Sequence, residues 1–155
     1  MAAPGGVGHG LRLAASLRDH GVAPERLHLI GHSSGAIVAA SAAQALRGWT
    51  GRPVAQLTLL EPAAFYHHVV FERLAAGSSA LHVDHYWAPG PSGYSREVDH
   101  AGVRNYRVEV PTPLLSAVHP LRSGHLHVFQ WYLATVEGRS PPLGFNASVF
   151  GGLGG

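Results

Sequence analysis

The chain has 155 residues, which leaves room for one domain and not for two. Hydrophobic residues make up 46% of it, enough to bury a core, and only 13% of the residues are charged, which argues against a disordered chain. The 11 basic residues are all arginines scattered along the sequence, and the formal net charge is +2, so no basic patch is expected to bind nucleic acid.

The predicted elements alternate between helices and strands. In chain order they are a helix over 11–20, a strand over 26–30, a helix over 36–46, a strand over 54–60, a helix over 65–76, strands over 80–87 and 103–110, and a helix over 126–136. Residues 1–9 are expected to form a flexible arm, residues 10–137 one domain, and residues 138–155 a Gly/Pro-rich tail. This alternation predicts an α/β fold whose mostly parallel sheet is flanked by helices, with chemistry at the carboxyl ends of the strands.

The loop after the first predicted strand carries the strongest motif. Gly31, His32, Ser33, Ser34 and Gly35 fit the pattern G-x-S-x-G between an apolar strand and an Ala-rich helix. Such a bend lifts the Ser33 hydroxyl above the sheet, and side chains two residues before and after it would collide, which accounts for both glycines. The Ser34 backbone N–H then points towards a developing oxyanion. The alternative is a glycine-rich turn in which a serine caps the helix.

Three segments together resemble the α/β-hydrolase lipases and esterases, and more narrowly their pancreatic-lipase-like branch. They are residues 27–36 around the bend, the sequence Leu-Leu-Glu-Pro-Ala at 59–63, and Ser-Gly-His-Leu at 123–126 followed by Trp131 and Tyr132. The resemblance covers about residues 11–136 and implies a partial α/β-hydrolase fold. It implies that Ser33 is the nucleophile, that Glu61 is the acid where the family usually has Asp, and that His125 is the general base.

The activity implied by this resemblance is hydrolysis of carboxylic esters through a Ser-Glu-His triad and an acyl-enzyme. The substrate would be a small-molecule ester or a lipid, and no cofactor is needed. An acyltransferase or thioesterase would use the same triad. A different class of function is a non-catalytic binding domain on an inactive hydrolase fragment.

The residues leave alternatives open for two members of the triad. Asp84 and Asp99 compete with Glu61 as the acid. His119 is the main competitor of His125 as the base, and further candidates are His127 and His100.

No metal site is expected. The chain has no Cys, which excludes disulfides, thiolate zinc sites and a Cys nucleophile. The 12 His include pairs that could each offer two ligands, but none has an established ligand spacing. These pairs are His67 with His68, His82 with His85 near Asp84, and His125 with His127. No run of about 18 apolar residues occurs, so no transmembrane segment is expected.

The early strands of a full α/β-hydrolase are missing from the predicted order, and with them the loop that supplies the second oxyanion donor. We therefore expect the chain to be the carboxyl-terminal portion of a longer hydrolase, or to need a second chain that completes the sheet. An incomplete sheet exposes an unpaired edge. The isolated chain is accordingly expected to be poorly stable or to self-associate.

Overall fold

A computed structural model describes residues 4–89, 94–111, 120–139 and 144–151. The elements are helix α1 (Pro4–Asp19), strand β1 (His28–His32), helix α2 (Gly35–Thr50), strand β2 (Val54–Leu60), the short helix α3 (Ala76–Ser79), strand β3 (Ala80–Trp87), strand β4 (Val103–Arg107) and helix α4 (Pro120–Val136). Short 3₁₀ turns occur at Pro24–Arg26, Ala64–Tyr66 and Gly144–Ala147, and a π-helical turn at His68–Arg73.

The strands of the described residues form one sheet in the order β1-β2-β3-β4, and every pairing is parallel. The predicted α/β class, with a parallel sheet and flanking helices, is confirmed. Parallel pairing brings the carboxyl ends of β1, β2 and β3 to one edge: His32 pairs with Leu60, and Leu60 with Tyr86. The loops that follow these three strands are therefore neighbours.

Two apolar cores cover the two faces of the sheet. On one face α2 and the π-helical turn pack on the strands and α1 packs on α2, with Ile37, Leu57 and Leu59 fully buried. On the other face α4 packs over Tyr86, and Val128 is fully buried there. All seven residues of β2 are buried because both faces of this inner strand are covered.

The prediction of a flexible arm is wrong for residues 4–9, because α1 begins at Pro4. Because glycine has a low helix propensity, the sequence pattern predicts a helix that begins only at residue 11. In the structure the glycines let α1 approach α2 closely. A Cβ added at Gly10 would lie 2.4 Å from the Ser41 Cβ and 2.6 Å from the Val38 carbonyl oxygen. Packing against α2 therefore outweighs propensity.

The predicted Gly/Pro-rich tail is also incorrect for residues 144–151, which pack onto the sheet. The His28 ring stacks on Phe145 and Phe150 with centroid distances of 5.9 and 5.6 Å. The Val149 N–H donates to the Gln56 side-chain oxygen at 2.9 Å. Burial lowers the pKa of His28 to about 4, so its ring is neutral in this stack near neutral pH.

Other boundaries shift by a few residues. The predicted helix over 65–76 is broken into the 3₁₀ turn, the π-helical turn and the start of α3, and β4 ends at Arg107 instead of residue 110. Strand β1 is an edge strand of the described sheet, and its Ile30 is 46% exposed. Self-association through this edge stays a prediction. Within the described residues, no helix is long and apolar enough to cross a lipid bilayer.

Candidate functional site

Ser33 lies in a strained bend between β1 and α2. Its φ is +56°, in the left-handed region that costs a non-glycine residue about 1–3 kcal/mol. The Ser33 N–H donates to the Leu60 carbonyl at 2.9 Å, and its own carbonyl accepts from the Ala36 N–H at 3.0 Å. The bend is thus fixed on one side to β2 and on the other to the first turn of α2, while the Ser33 side chain stays half-buried.

The two glycines of the motif are not equivalent. A Cβ at Gly31 would lie 2.4 Å from the Gly35 carbonyl oxygen and 2.8 Å from the Ala36 Cα. A Cβ at Gly35 would meet no atom within 4 Å. The predicted collision of an added side chain is therefore confirmed at Gly31 and wrong at Gly35. Gly31 lies against the backbone carbonyl of Gly35, whereas the position of a Gly35 side chain is open.

Replacing Gly31 with alanine is expected to lower the free energy of unfolding by about 3 kcal/mol, because backbone atoms must shift to admit the methyl group. The free energy of unfolding of the Gly35→Ala variant should differ from that of wild type by no more than about 1 kcal/mol. Urea denaturation of the two variants measures both numbers. Equal losses at the two positions would contradict this account of the bend.

The Ser34 N–H lies at the amino-terminal end of α2. Ser34 is the N-cap residue, and its side chain makes no capping hydrogen bond. No acceptor among the described residues bonds its backbone N–H. A free N–H at a helix amino terminus attracts negative charge, so this position suits an oxyanion. Ser34 thus occupies the N-cap position, but its side chain does not cap the helix as the alternative interpretation requires.

Glu61 follows β2 and is buried, with its side chain 2% exposed. Its φ is +49°, and Pro62 restricts its backbone further. The Glu61 N–H donates to the Tyr86 carbonyl at 2.9 Å, and the Ala88 N–H donates to Glu61 Oε1. Both ends of the residue are therefore held by the end of β3. A buried carboxylate needs such partners, and Oε2 remains for another group.

That other group is His125, near the start of α4. Its Nδ1 lies 3.6 Å from Glu61 Oε2, and its side chain is 17% exposed. This distance is too long for a hydrogen bond, and the buried Nδ1 has no hydrogen-bond partner among the described residues. Catalytic hydrogen bonds are often this long before substrate binds and shorten in the complex. The geometry thus aligns a carboxylate with the ring nitrogen that it could orient.

His32 supports the position of His125. Its Nε2–H donates to the His125 carbonyl at 3.0 Å, and the two ring centroids are 4.4 Å apart. Its ring also contacts Phe129 on the next turn of α4, at 5.4 Å. Burial lowers the pKa of His32, partly offset by its hydrogen bond to the His125 carbonyl.

Tyr94 is a site residue that the sequence reasoning missed. Its hydroxyl lies 3.2 Å from Ser33 Oγ, and its ring stands edge-on to the His125 ring with centroids 4.4 Å apart. Its carbonyl accepts a hydrogen bond from the Ala64 N–H at 2.6 Å. Among the described residues, Ser33 Oγ makes a hydrogen bond with this hydroxyl and makes none with a histidine ring. No local signal identifies Tyr94, because it follows a Gly/Pro-rich break in the sequence.

The competing acids lie elsewhere. Asp84 is buried within the sheet, where Gln56 Nε2 and Arg104 Nε each donate to one of its oxygens at 2.8 Å. Burial raises the pKa of Asp84, and the Arg104 guanidinium acts in the opposite direction. Asp99 is exposed in the loop between β3 and β4. The structure thus brings Glu61, and neither aspartate, to His125.

Two of the other candidate histidines make hydrogen bonds in the β3–β4 region. His119 lies outside the described residues. The His100 ring donates to the Ala101 carbonyl at 3.1 Å, and the His85 ring donates to Asn105 at 2.9 Å from a fully buried position. Within the described ranges, no three His, Asp or Glu side chains are grouped so that they could hold a metal ion.

The arrangement therefore groups a hydroxyl, an imidazole and a buried carboxylate at the carboxyl edge of a parallel sheet, with one backbone N–H and one phenol beside the hydroxyl. Those groups can carry out nucleophilic attack, proton transfer and charge stabilisation. Comparisons with family models, with curated proteins and with solved structures found no match to this chain.

Proposed function

We propose that the protein is a serine hydrolase that cleaves carboxylic esters, on a partial α/β-hydrolase fold. The observation that carries the proposal is the 3.6 Å approach of Glu61 Oε2 to His125 Nδ1 at the edge of the sheet where Ser33 occupies its strained bend. The chain order of serine, acid and histidine is the order of α/β-hydrolases. The parallel strand order supports the same reading.

The reaction would proceed in two halves. His125 Nε2, the ring nitrogen that does not face Glu61, takes the Ser33 proton as Oγ attacks the ester carbonyl carbon. The tetrahedral oxyanion forms beside the Ser34 N–H, the carbon–oxygen bond to the alcohol breaks, and His125 returns the proton to the leaving alkoxide. Water then attacks the acyl-enzyme, with His125 again as base, and releases the acid and free Ser33.

The surface beside the site favours an apolar substrate. Leu126, Phe129 and Leu133 share one face of α4, and their exposed fractions are 47%, 41% and 44%. Phe129 contacts the His32 ring, so this face begins at the site. An exposed apolar stripe next to a nucleophile suits the alkyl or acyl chain of an ester, including a lipid.

A fluorophosphonate probe tests the proposal directly, because it phosphonylates only an activated serine. We expect the full chain to be labelled, with the adduct on Ser33, and the Ser33→Ala variant to remain unlabelled. Ser16, exposed on α1, provides the matched control, and its alanine variant should be labelled like wild type. A folded wild-type protein that takes no label would refute the proposal.

The second candidate is a non-catalytic binding domain. It is favoured by the hydrogen bond of Ser33 Oγ to the Tyr94 hydroxyl where an active triad would present an imidazole. This reading predicts that both wild type and Ser33→Ala remain unlabelled and fold equally well. The probe experiment therefore separates the two functions.

A further inference from the structure

We propose that the Tyr94 hydroxyl is the second oxyanion donor of this site, acting together with the Ser34 N–H. The inference rests on the proposed ester hydrolysis, and it assigns a catalytic role to a residue outside the triad. Oxyanion holes of acyl-transfer enzymes usually combine two donors. The Ser34 N–H is one backbone donor at this site. The Tyr94 hydroxyl is hydrogen-bonded to the Ser33 hydroxyl and is the candidate for the second donor.

The position of the hydroxyl fits this role. The oxyanion forms on the carbon that becomes bonded to Ser33 Oγ, so a donor 3.2 Å from Oγ is within reach of it. Either hydroxyl can donate in the resting site. When the Tyr94 O–H donates to Ser33 Oγ, the Ser33 proton is free to point towards His125, and this is the arrangement that the proposed role requires. As the carbonyl oxygen gains charge, the Tyr94 O–H turns to that oxygen, and no proton needs to be transferred from it.

The fold holds the donor in place before the reaction. The Tyr94 carbonyl accepts a hydrogen bond from the Ala64 N–H. Ala64 lies three residues after Glu61, so this bond joins the Tyr94 backbone to the loop that carries the acid. Its ring packs edge-on against the His125 ring. Tyr94 is thus fixed at its backbone and at its ring, and only its hydroxyl hydrogen has to reorient, which is the condition for electrostatic preorganisation.

The test measures hydrolysis of p-nitrophenyl butyrate by the Tyr94→Phe variant of the full chain. We expect kcat to fall about 10²- to 10³-fold with KM little changed, since a donor used in the transition state is lost. Binding of a trifluoromethyl ketone, which forms an oxyanion on Ser33, should weaken by a similar factor. Tyr106→Phe removes a hydroxyl on the far edge strand β4 and should leave kcat, KM and inhibitor binding unchanged.

The outcomes distinguish this inference from the proposed function. If Tyr94→Phe matches or exceeds wild-type kcat while Ser33→Ala is inactive, Tyr94 is a group that fills the site, and the oxyanion role is overturned while the hydrolase proposal stands. If wild type is neither labelled at Ser33 nor active, both are overturned. Tyr94→Leu removes the ring as well, and a kcat no lower than that of Tyr94→Phe would show that the hydroxyl carries the effect.

Discussion

Replacing His125 with alanine is expected to lower kcat for ester hydrolysis about 10⁶-fold, close to the effect of losing Ser33 itself, because nucleophile and base act as one unit. That factor corresponds to about 8 kcal/mol of transition-state stabilisation. The side chain is 17% exposed, and its Nδ1 makes no hydrogen bond within the described residues, so the fold should survive the change. Steady-state kinetics with p-nitrophenyl butyrate, beside circular dichroism of the same samples, measures the effect.

His127 provides the matched control for this experiment, since it lies two residues further along α4, about 200° around the helix from His125. His127→Ala should retain wild-type kcat. His119→Ala tests the competing base that the sequence left open. A loss confined to the His119 variant, or wild-type turnover in the His125 variant, would contradict the assignment of His125.

Glu61→Gln is expected to lower kcat about 10⁴-fold without unfolding the protein. The glutamine side-chain oxygen can accept the Ala88 N–H as Oε1 does now, so the link to the end of β3 is kept. The new amide N–H₂ would face His125 Nδ1 in place of Oε2. It would force the proton of the imidazole onto Nε2, where the Ser33 proton has to go, and the base would be in the wrong tautomer.

Two further variants sharpen the Glu61 experiment. Glu61→Asp keeps the carboxylate but shortens its reach by one methylene, so its kcat should lie between those of wild type and Glu61→Gln. Asp99→Asn alters the exposed competing acid and should leave kcat unchanged. A Gln variant as active as wild type, with unchanged thermal stability, would remove Glu61 from the mechanism.

The parts of the fold that followed from the sequence are those with strong local signals. The bounds of β2 and β3 match the predicted strands because turn-forming residues such as Pro and Ser flank both segments. The start of α1 and the packing of residues 144–151 did not follow, because each depends on contacts with distant elements. Close approach to α2 makes the Gly-rich start of α1 helical, and stacking on His28 holds the segment after α4.

In the candidate site, too, the residues with a local sequence signal could be predicted, and the residue that depends on distant contacts could not. Ser33, Glu61 and His125 could be proposed because each falls in a segment with a recognisable pattern, and parallel topology then brings the ends of β1 and β2 together. Tyr94 could not be proposed, because its place beside Ser33 depends on tertiary contacts that no local pattern encodes. The contacts of its hydroxyl with Ser33 Oγ and of its ring with His125 identify it.

The left-handed backbone at Ser33 and Glu61 carries a consequence for engineering. Each position pays about 1–3 kcal/mol that a glycine would largely avoid. A search for thermostable variants guided by melting temperature alone should therefore favour glycine at Ser33 and so remove the nucleophile. At Glu61 the buried side chain and its hydrogen bond from the Ala88 N–H oppose the same change. At the Ser33 bend, thermal stability and the proposed chemistry therefore favour different residues, and a screen must measure turnover as well as heat resistance.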